Sequence, residues 1–386
     1  VETKQVKVAI TGTGFIASGL VAAINAAPDL MVHKVLTRRK LENISMIPAE
    51  YLTHSISEFL QGADLVVECS GDVHHGTEVI LEAFSKALPV VTMNAELQVT
   101  TGSYLSQCGY LTEAEGDQPG SLAALAENAV AMGFSPLVYG NIKGFLNLNP
   151  SIEEMRYWSK RNGLSLQMVT SFTDGTKVQI EQALVANGLG ADIVTRGLKG
   201  IAADSLEIGA NQLAEAATEY GQPISDYLLC PSGPPGVFLT GTHQSEQAAA
   251  LEYFKMGQGP YYTLTQPFHL CHLEILKTIR RVHRGESVLL NNGATPRVGV
   301  AAVSKRNLNP EEVIPKGIGS FQVRGEVVCL DQEPDHIPIG LLRNAVLKRQ
   351  VEEGKILTMD DVELEESAAT RAWFASVGGN PNEATV

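Results

Sequence analysis

No run of about 18 apolar residues, the length a helix needs to cross a bilayer, occurs anywhere in this sequence. Paired cysteines are missing as well: Cys69, Cys108, Cys230, Cys271 and Cys329 are scattered, odd in number and without a CxxC pair. That pattern argues against a disulfide framework or a structural zinc site and fits a reducing cytoplasm. Positive charge is also short, with 29 Lys and Arg against 43 Asp and Glu and a formal net charge of −14. Phosphate-rich surfaces repel such a chain, which speaks against nucleic-acid and anionic-membrane partners. The first residues are charged and polar and lack the apolar stretch of a secretory leader, so a cytoplasmic location is expected. What remains is ordinary globular material, 386 residues of which 44% are hydrophobic, enough for two or three domains.

The most informative stretch is Val6-Lys-Val-Ala-Ile-Thr-Gly-Thr-Gly-Phe-Ile-Ala-Ser-Gly19. Val6, Val8 and Ile10 read as a buried strand, Gly12 permits a tight turn, and Gly14 lets the backbone approach a phosphate at the start of a helix. Thr13, Phe15 and Ile16 line the same turn, with Ala17 in the third small position. The second apolar run ends in Thr37-Arg38-Arg39, where an acid would hold a ribose 2′-hydroxyl and arginines accommodate a 2′-phosphate. NADP is therefore favoured over NAD. Ser70 and Gly71 close the third run, at the strand end where open α/β sheets place ligands.

Up to about residue 145, apolar runs alternate with amphipathic stretches, the signature of a parallel sheet wound with helices. Strands are expected at 6–10, 32–37, 64–69, 89–93 and 136–140, and helices at 16–26, 56–61, 75–87 and 121–132. Beyond Asn147 the texture changes to a capped helix over 155–162, an alternating strand-like run from Ser165 to Phe172, and a turn at Asp174-Gly175. From about 296 the chain is strand-rich, with two similar phrases, 303–314 and 346–357, each placing a basic turn before a β-branched strand. The polar end, from Gly378, reads as frayed.

Several side chains carry candidate chemistry. Asn94 and Glu96 end a strand and would face the nicotinamide end of a cleft. Glu113, Glu115 and Asp117 precede a helix, as site residues or as an acidic N-cap that the helix dipole stabilises. Lys143 and Lys177 are placed to donate to a carbonyl or an anionic substrate group, and a depressed pKa would let either shuttle the proton that accompanies hydride transfer. The plain alternative for Lys177 is a surface residue paired one turn on with Glu181. The adjacent His74 and His75 point apart on a helix start, and His269 and His272 around Cys271 lack an acid or thiol pair at usable spacing, so no metal ligands are assigned.

Together these segments resemble the homoserine dehydrogenase-like oxidoreductases with a C-terminal SAF-type module, and within them the deoxyxylulose-5-phosphate reductoisomerase-like enzymes. The carriers are the fingerprint at 11–19, Met93-Asn-Ala-Glu96, Val99-Thr-Thr-Gly-Ser-Tyr-Leu105, Gly116-Asp117, Asp174-Gly-Thr-Lys177, Gly236-Val-Phe238, Gly259-Pro-Tyr-Tyr262 and Pro267-Phe-His-Leu270. The resemblance implies an α/β fold: a Rossmann-type doubly wound parallel sheet over 1–146, an α+β catalytic and dimerisation domain over 147–295, and a small β-rich SAF-like module over 296–370, with 371–386 as a tail. It implies an NAD(P)-dependent oxidoreductase, a homo-oligomer acting on a small-molecule substrate, and leaves a divalent metal open.

Lys143, Lys177, Glu181 and Asp117 would then be catalytic. Gly12, Thr13, Gly14, Phe15, Ile16, Thr37, Arg38, Arg39, Ser70, Gly71, Asn94 and Glu115 would hold the cofactor. Homoserine dehydrogenases carry a lysine directly after the asparagine matching Asn94, where this chain has Ala95. Reductoisomerase-like relatives carry basic residues at Gln258 and Gln266 and an acid at Gln118. Losing two positive charges weakens a phosphate site, which points to a small polyhydroxylated keto or hydroxy substrate with less phosphate. Homoserine dehydrogenase and a non-catalytic NADP- and sugar-binding sensor are the alternatives.

Overall fold

The computed structural model describes residues 5–377. Six short strands, β1 (Val6–Thr11), β2 (Leu30–Leu36), β3 (Leu52–Thr53), β4 (Leu65–Glu68), β5 (Val90–Thr92) and β6 (Leu111–Glu113), form one sheet in the order β3-β2-β1-β4-β5-β6. All neighbours are parallel. Alternate residues feed opposite faces: Val8, Ile10 and Val67 enter one core with α1 (Phe15–Asn25), while Ala9, Val66 and Val90 enter the other with α2 (Ile56–Leu60) and α3 (Val73–Ser85). A sheet covered on both faces needs nearly continuous apolar strands, which is why these segments stand out in the sequence. The strand order reverses between β1 and β4, and the crevice beyond their carboxyl ends is where doubly wound folds bind ligands. A short helix α4 (Ala95–Leu97) passes through a wide turn at Gln98–Gly102 into α5 (Ser103–Cys108).

The second layer begins with α6 (Gln118–Ala131) and β7 (Ser135–Lys143), so the strand expected at 136–140 belongs here and not to the parallel sheet; α7 (Ile152–Asn162), α8 (Leu166–Thr173) and α9 (Thr176–Leu189) follow. β8 (Ile201–Ala202), α10 (Leu206–Tyr220), β9 (Ile224–Leu229), β10 (Val237–Thr242), α11 (Ala248–Tyr253) and β11 (Tyr262–Gln266) complete it. The mixed sheet runs β11-β10-β7-β9-β8. Leu122 of α6 and Val185 of α9 pack on one face, and Ala210, Leu213 and Ala217 of α10 on the other. The chain then returns to the first sheet through α12 (Ile275–His283), whose Ile275, Ile279 and Val282 share the core of α1.

The strand expected at Ser165–Phe172 is a helix instead. Ser165 accepts a hydrogen bond from the Met168 N–H and caps α8, and Leu166, Val169 and Phe172 recur at helical spacing beneath the short alternation. The turn at Asp174-Gly175 accordingly joins two helices rather than two strands, with Gly175 at φ +83°.

The β-rich part pairs β12 (Val298–Ser304) with β14 (Val323–Cys329), and β13 (Val313–Lys316) with β15 (Arg343–Leu347) and β16 (Val362–Glu363). The two similar phrases meet each other: Leu308 and Val351 exchange backbone hydrogen bonds of 2.8 and 3.0 Å. The first phrase runs into β13, whereas the end of the second contributes only isolated bridges, such as Ile356 to Val303. Val300, Ala302, Val323 and Val327 share a core with Val178, Ile180 and Leu184 of α9. Residues 371–376, expected as tail, lie in α13 (Ala368–Ser376), where the buried Trp373 packs beside Val73 and Leu341. The frayed end expected from Gly378 falls outside the described residues.

Candidate active site

The turn after β1 makes a cradle. Gly12 sits at φ +111°, and a Cβ there would stand 2.9 Å from the Cys69 carbonyl oxygen, so only glycine lets this turn cross the end of β4. At Gly14 a Cβ would meet nothing within 4 Å, and no side chain caps α1. Free N–H groups of an 11-residue helix facing open space suit an anion, so the residues present fit a nucleotide pyrophosphate. Thr13 and Thr37 approach through their hydroxyls at 3.3 Å. Phe15 is 73% exposed and meets the His272 ring edge-on at 5.6 Å, while Ile16 is half-buried. A Cβ on Gly19 would lie 2.6 Å from the His272 ring, so that glycine serves packing between α1 and the segment before α12.

Beyond the end of β2 Arg39 is exposed, but Arg38 is engaged: its guanidinium donates to Asp72 at 2.6 Å. Burial works to raise the Asp72 carboxyl, yet the Arg38 hydrogen bond and the His75 N–H outweigh it and hold it at about 2. Behind Ser70 and Gly71 lies the fully buried Glu68, which accepts from the Ser70 N–H at 2.8 Å, the Ser70 hydroxyl at 2.5 Å and the Thr92 hydroxyl at 3.0 Å. Burial pushes its carboxyl up, against these bonds. An acid closing an apolar parallel strand is the sequence signal by which Glu68 can be found. Asn94 is buried at the end of β5 and caps α4, accepting from the Leu97 N–H at 3.1 Å.

The lysines converge. Residues 141 and 143 share a face of β7, and both Asn141 and Lys143 donate to Gln118 (3.1 and 2.6 Å) and to Glu181 (2.9 and 3.0 Å). Lys177, in the first turn of α9, reaches Glu96 at 3.1 Å, Asp117 at 3.8 Å and Glu181 at 4.0 Å. It is therefore no surface lysine: its side chain is 13% exposed, and Glu181 is the most distant of its three partners. The expected depressed pKa is corrected as well. Burial alone would lower it, but Asp117, Glu96 and Glu181 together raise it, so Lys177 remains an ammonium. Asp117 occupies the N-cap position of α6 without making a cap bond.

Glu115 goes elsewhere, pairing with Lys277 of α12 at 2.8 Å. Gln98 and Asn141, unassigned from sequence, and Glu113, offered there as a site residue or an acidic N-cap, complete the buried polar set. Among the described residues no group of three or more His, Cys, Asp or Glu is arranged to hold a metal ion.

Residues 116–275, which carry Asp117, Lys143, Lys177 and Glu181, match the family model described as oxidoreductase DRL, catalytic domain. The class this defines is oxidoreductase. Among solved structures, a myo-inositol dehydrogenase from Corynebacterium glutamicum is 12% identical, with 73% of this chain and 90% of that one aligned at a TM-score of 0.42. Homoserine dehydrogenase from S. aureus is 19% identical over 48% of this chain and 50% of its own, at a TM-score of 0.33. Likeness at these scores carries no chemistry to this chain, and the fold assignment stands on the strand order itself. No curated protein matches the chain.

Proposed function

We propose that this oxidoreductase moves a hydride between a nicotinamide cofactor, NADP in preference to NAD, and the carbonyl or hydroxyl carbon of a small, polyhydroxylated, unphosphorylated substrate. The observation that carries this is the joining of Lys143 and Lys177 through one carboxylate, Glu181, with Lys177 also tied to Glu96, two residues beyond the strand end at Asn94. The resemblance to the homoserine dehydrogenase-like enzymes supports the same reading, with the first sheet holding the cofactor, the second layer from α6 onward the substrate and 296–370 forming the SAF-like module; a linked carbon-skeleton rearrangement is the finer step it suggests.

When bound, the cofactor supplies the hydride chemistry. The Lys177 ammonium donates a hydrogen bond to the substrate oxygen and stabilises the negative charge that develops there. Lys143, held by Gln118 and Glu181, presents a second donor beside it. Glu96, Asp117 and Glu181 make the surroundings acidic, which suits hydroxyl donors and repels a phosphate dianion. Gln118 accepts from Lys143, and Gln266 donates to Glu274 at 3.1 Å, so neither adds positive charge.

The test is NADPH consumption over a panel of phosphorylated and unphosphorylated keto-sugars, with and without magnesium or manganese. Turnover of unphosphorylated members that Lys177→Met abolishes is expected. A strict requirement for the phosphate group, or full turnover by both Lys143→Ala and Lys177→Ala, overturns the proposal.

A further inference from the structure

Glu113 has no part in the scheme above, yet it is fully buried at the end of β6 beside the lysine cluster. Its Oε2 accepts from the Gln98 amide at 3.3 Å. Its Oε1 has no donor, and neither has Oδ2 of Asp117, the same oxygen that lies 3.8 Å from the Lys177 ammonium. Asp117 stands near enough to raise the Glu113 carboxyl, so the two orphan oxygens belong to one buried acidic pocket beside Lys177. Two acid oxygens with no other donor hydrogen-bond each other once one carries a proton, whereas leaving both bare in a buried site carries the desolvation cost of two charges.

We propose that Glu113 and Asp117 hold one proton between them, and that this acid–carboxylate pair reprotonates Lys177 after Lys177 has given its proton to the substrate oxygen. The proposal rests on the hydride-transfer reading for its second half only. In the reducing direction the carbonyl carbon gains the hydride, and the oxygen takes a proton from Lys177 Nζ. One N–H bond breaks and one O–H bond forms. The neutral amine then takes the shared proton through Asp117 Oδ2, leaving two carboxylates that regain a proton from water as the site reopens. In the oxidising direction the pair receives the proton instead. Glu113 acts through Asp117 and touches no substrate.

The surroundings support a single shared proton. Burial raises the Glu113 carboxyl and Asp117 raises it further, while Lys177 and Gln98 pull the other way. Asp117 is raised by burial and by Glu181 and Glu96, against Lys177. Cys271 also faces Asp117 and Lys177, and burial pushes its thiol up to about 11, so it stays neutral. With one proton on the pair, the carboxyls of Glu96, Glu113, Asp117 and Glu181 present three negative charges to the ammonium groups of Lys143 and Lys177. These already exceed the two ammoniums by one, and a fourth would double that excess in a buried site.

The pair is tested without cofactor by infrared spectroscopy of the whole protein at neutral pH. A protonated carboxyl C=O band that shifts in deuterium oxide is expected, weakened or removed in both Glu113→Gln and Asp117→Asn and retained in Glu96→Gln. No such band in the wild type, or a band indifferent to Glu113→Gln and Asp117→Asn, refutes the shared proton whatever the enzyme turns over. Glu68, whose carboxyl burial also raises, can add a band of its own that neither variant removes, so the change in each variant is what decides, and either one suffices if the other does not fold. The relay is tested on any substrate found active: Glu113→Gln should lower kcat roughly 10²-fold with KM little changed and displace the alkaline limb of its pH profile. A merely structural pair leaves that limb where it was. Failure of every substrate would remove the hydride-transfer reading and the relay with it, while the infrared result would still stand or fall alone.

Discussion

Lys305 and Asp174 form an ion pair of 2.6 Å with side chains 1% and 0% exposed, joining the loop after β12 to the turn that starts α9. Lys305 also donates to the Ser320 carbonyl at 2.6 Å, and Asp174 accepts from the Thr176 N–H at 2.9 Å, next to Lys177. Replacing Lys305 by Met keeps most of the stem and removes the charge, which strands the Asp174 carboxylate away from water. Breaking a buried pair from one side costs about 3–5 kcal/mol, and an unpaired Ser320 carbonyl adds about 1 kcal/mol. The double variant Asp174→Asn/Lys305→Met removes both charges, and its loss should be smaller than that of Lys305→Met by about 2 kcal/mol or more. Urea unfolding followed by circular dichroism measures both. A single variant that loses less than about 1 kcal/mol, or a double variant no better than the single, refutes the account of a desolvated charge.

The cradle and the lysine cluster make further outcomes measurable. Gly14→Ala should fold normally, since its Cβ meets nothing, and weaken NADPH binding in a fluorescence titration; Gly12→Ala should lose about 1–3 kcal/mol of stability because of its φ of +111° and the Cys69 carbonyl. Arg38→Ala should reduce the preference for NADPH over NADH in kcat/KM; an unchanged ratio removes Arg38 from 2′-phosphate recognition. The same variant changes acid stability: the Asp72 carboxyl, held at about 2 against an ordinary 3.8, contributes stability present above pH 3.8 and lost as pH falls through 2, and equilibrium unfolding across that window should show the contribution shrink in Arg38→Ala. Lys177→Met should lower kcat far more than Glu115→Gln, because Glu115 is drawn to Lys277, and equal losses in the two would contradict the placement.

Most of the first sheet was legible because parallel strands covered on both faces must be continuously apolar, as Leu65–Val67 and Val90–Val91 are. β6 was not, since Leu111-Thr112-Glu113 is only three residues long and ends in an acid whose burial depends on partners far along the chain. Ser165–Phe172 misled because a short alternation imitates a strand, and its decisive signal was the capping serine. Both lysines could be picked out from their glycine-rich surroundings, but not their charge state. Lys177 meets Glu96 across 81 positions of sequence, and that meeting turns an expected fall in pKa into a rise. Glu113 and Asp117 looked like residues of an acidic helix start, and only the absence of a cap bond at Asp117 shows that its carboxyl is used elsewhere.

α9 faces two ways: Lys177 and Glu181 look into the site, while Val178, Ile180 and Leu184 complete the core of the β-rich module. Gly325 and Val327 of β14 fasten their N–H groups to Thr176 and Gln179 of the same helix, each at 2.8 Å. The module is therefore no detachable cargo. Grafting it elsewhere, or trimming it away, would expose an apolar flank of the helix bearing Lys177, so variation in the module's outer loops is tolerated only while its inner strands still fit α9.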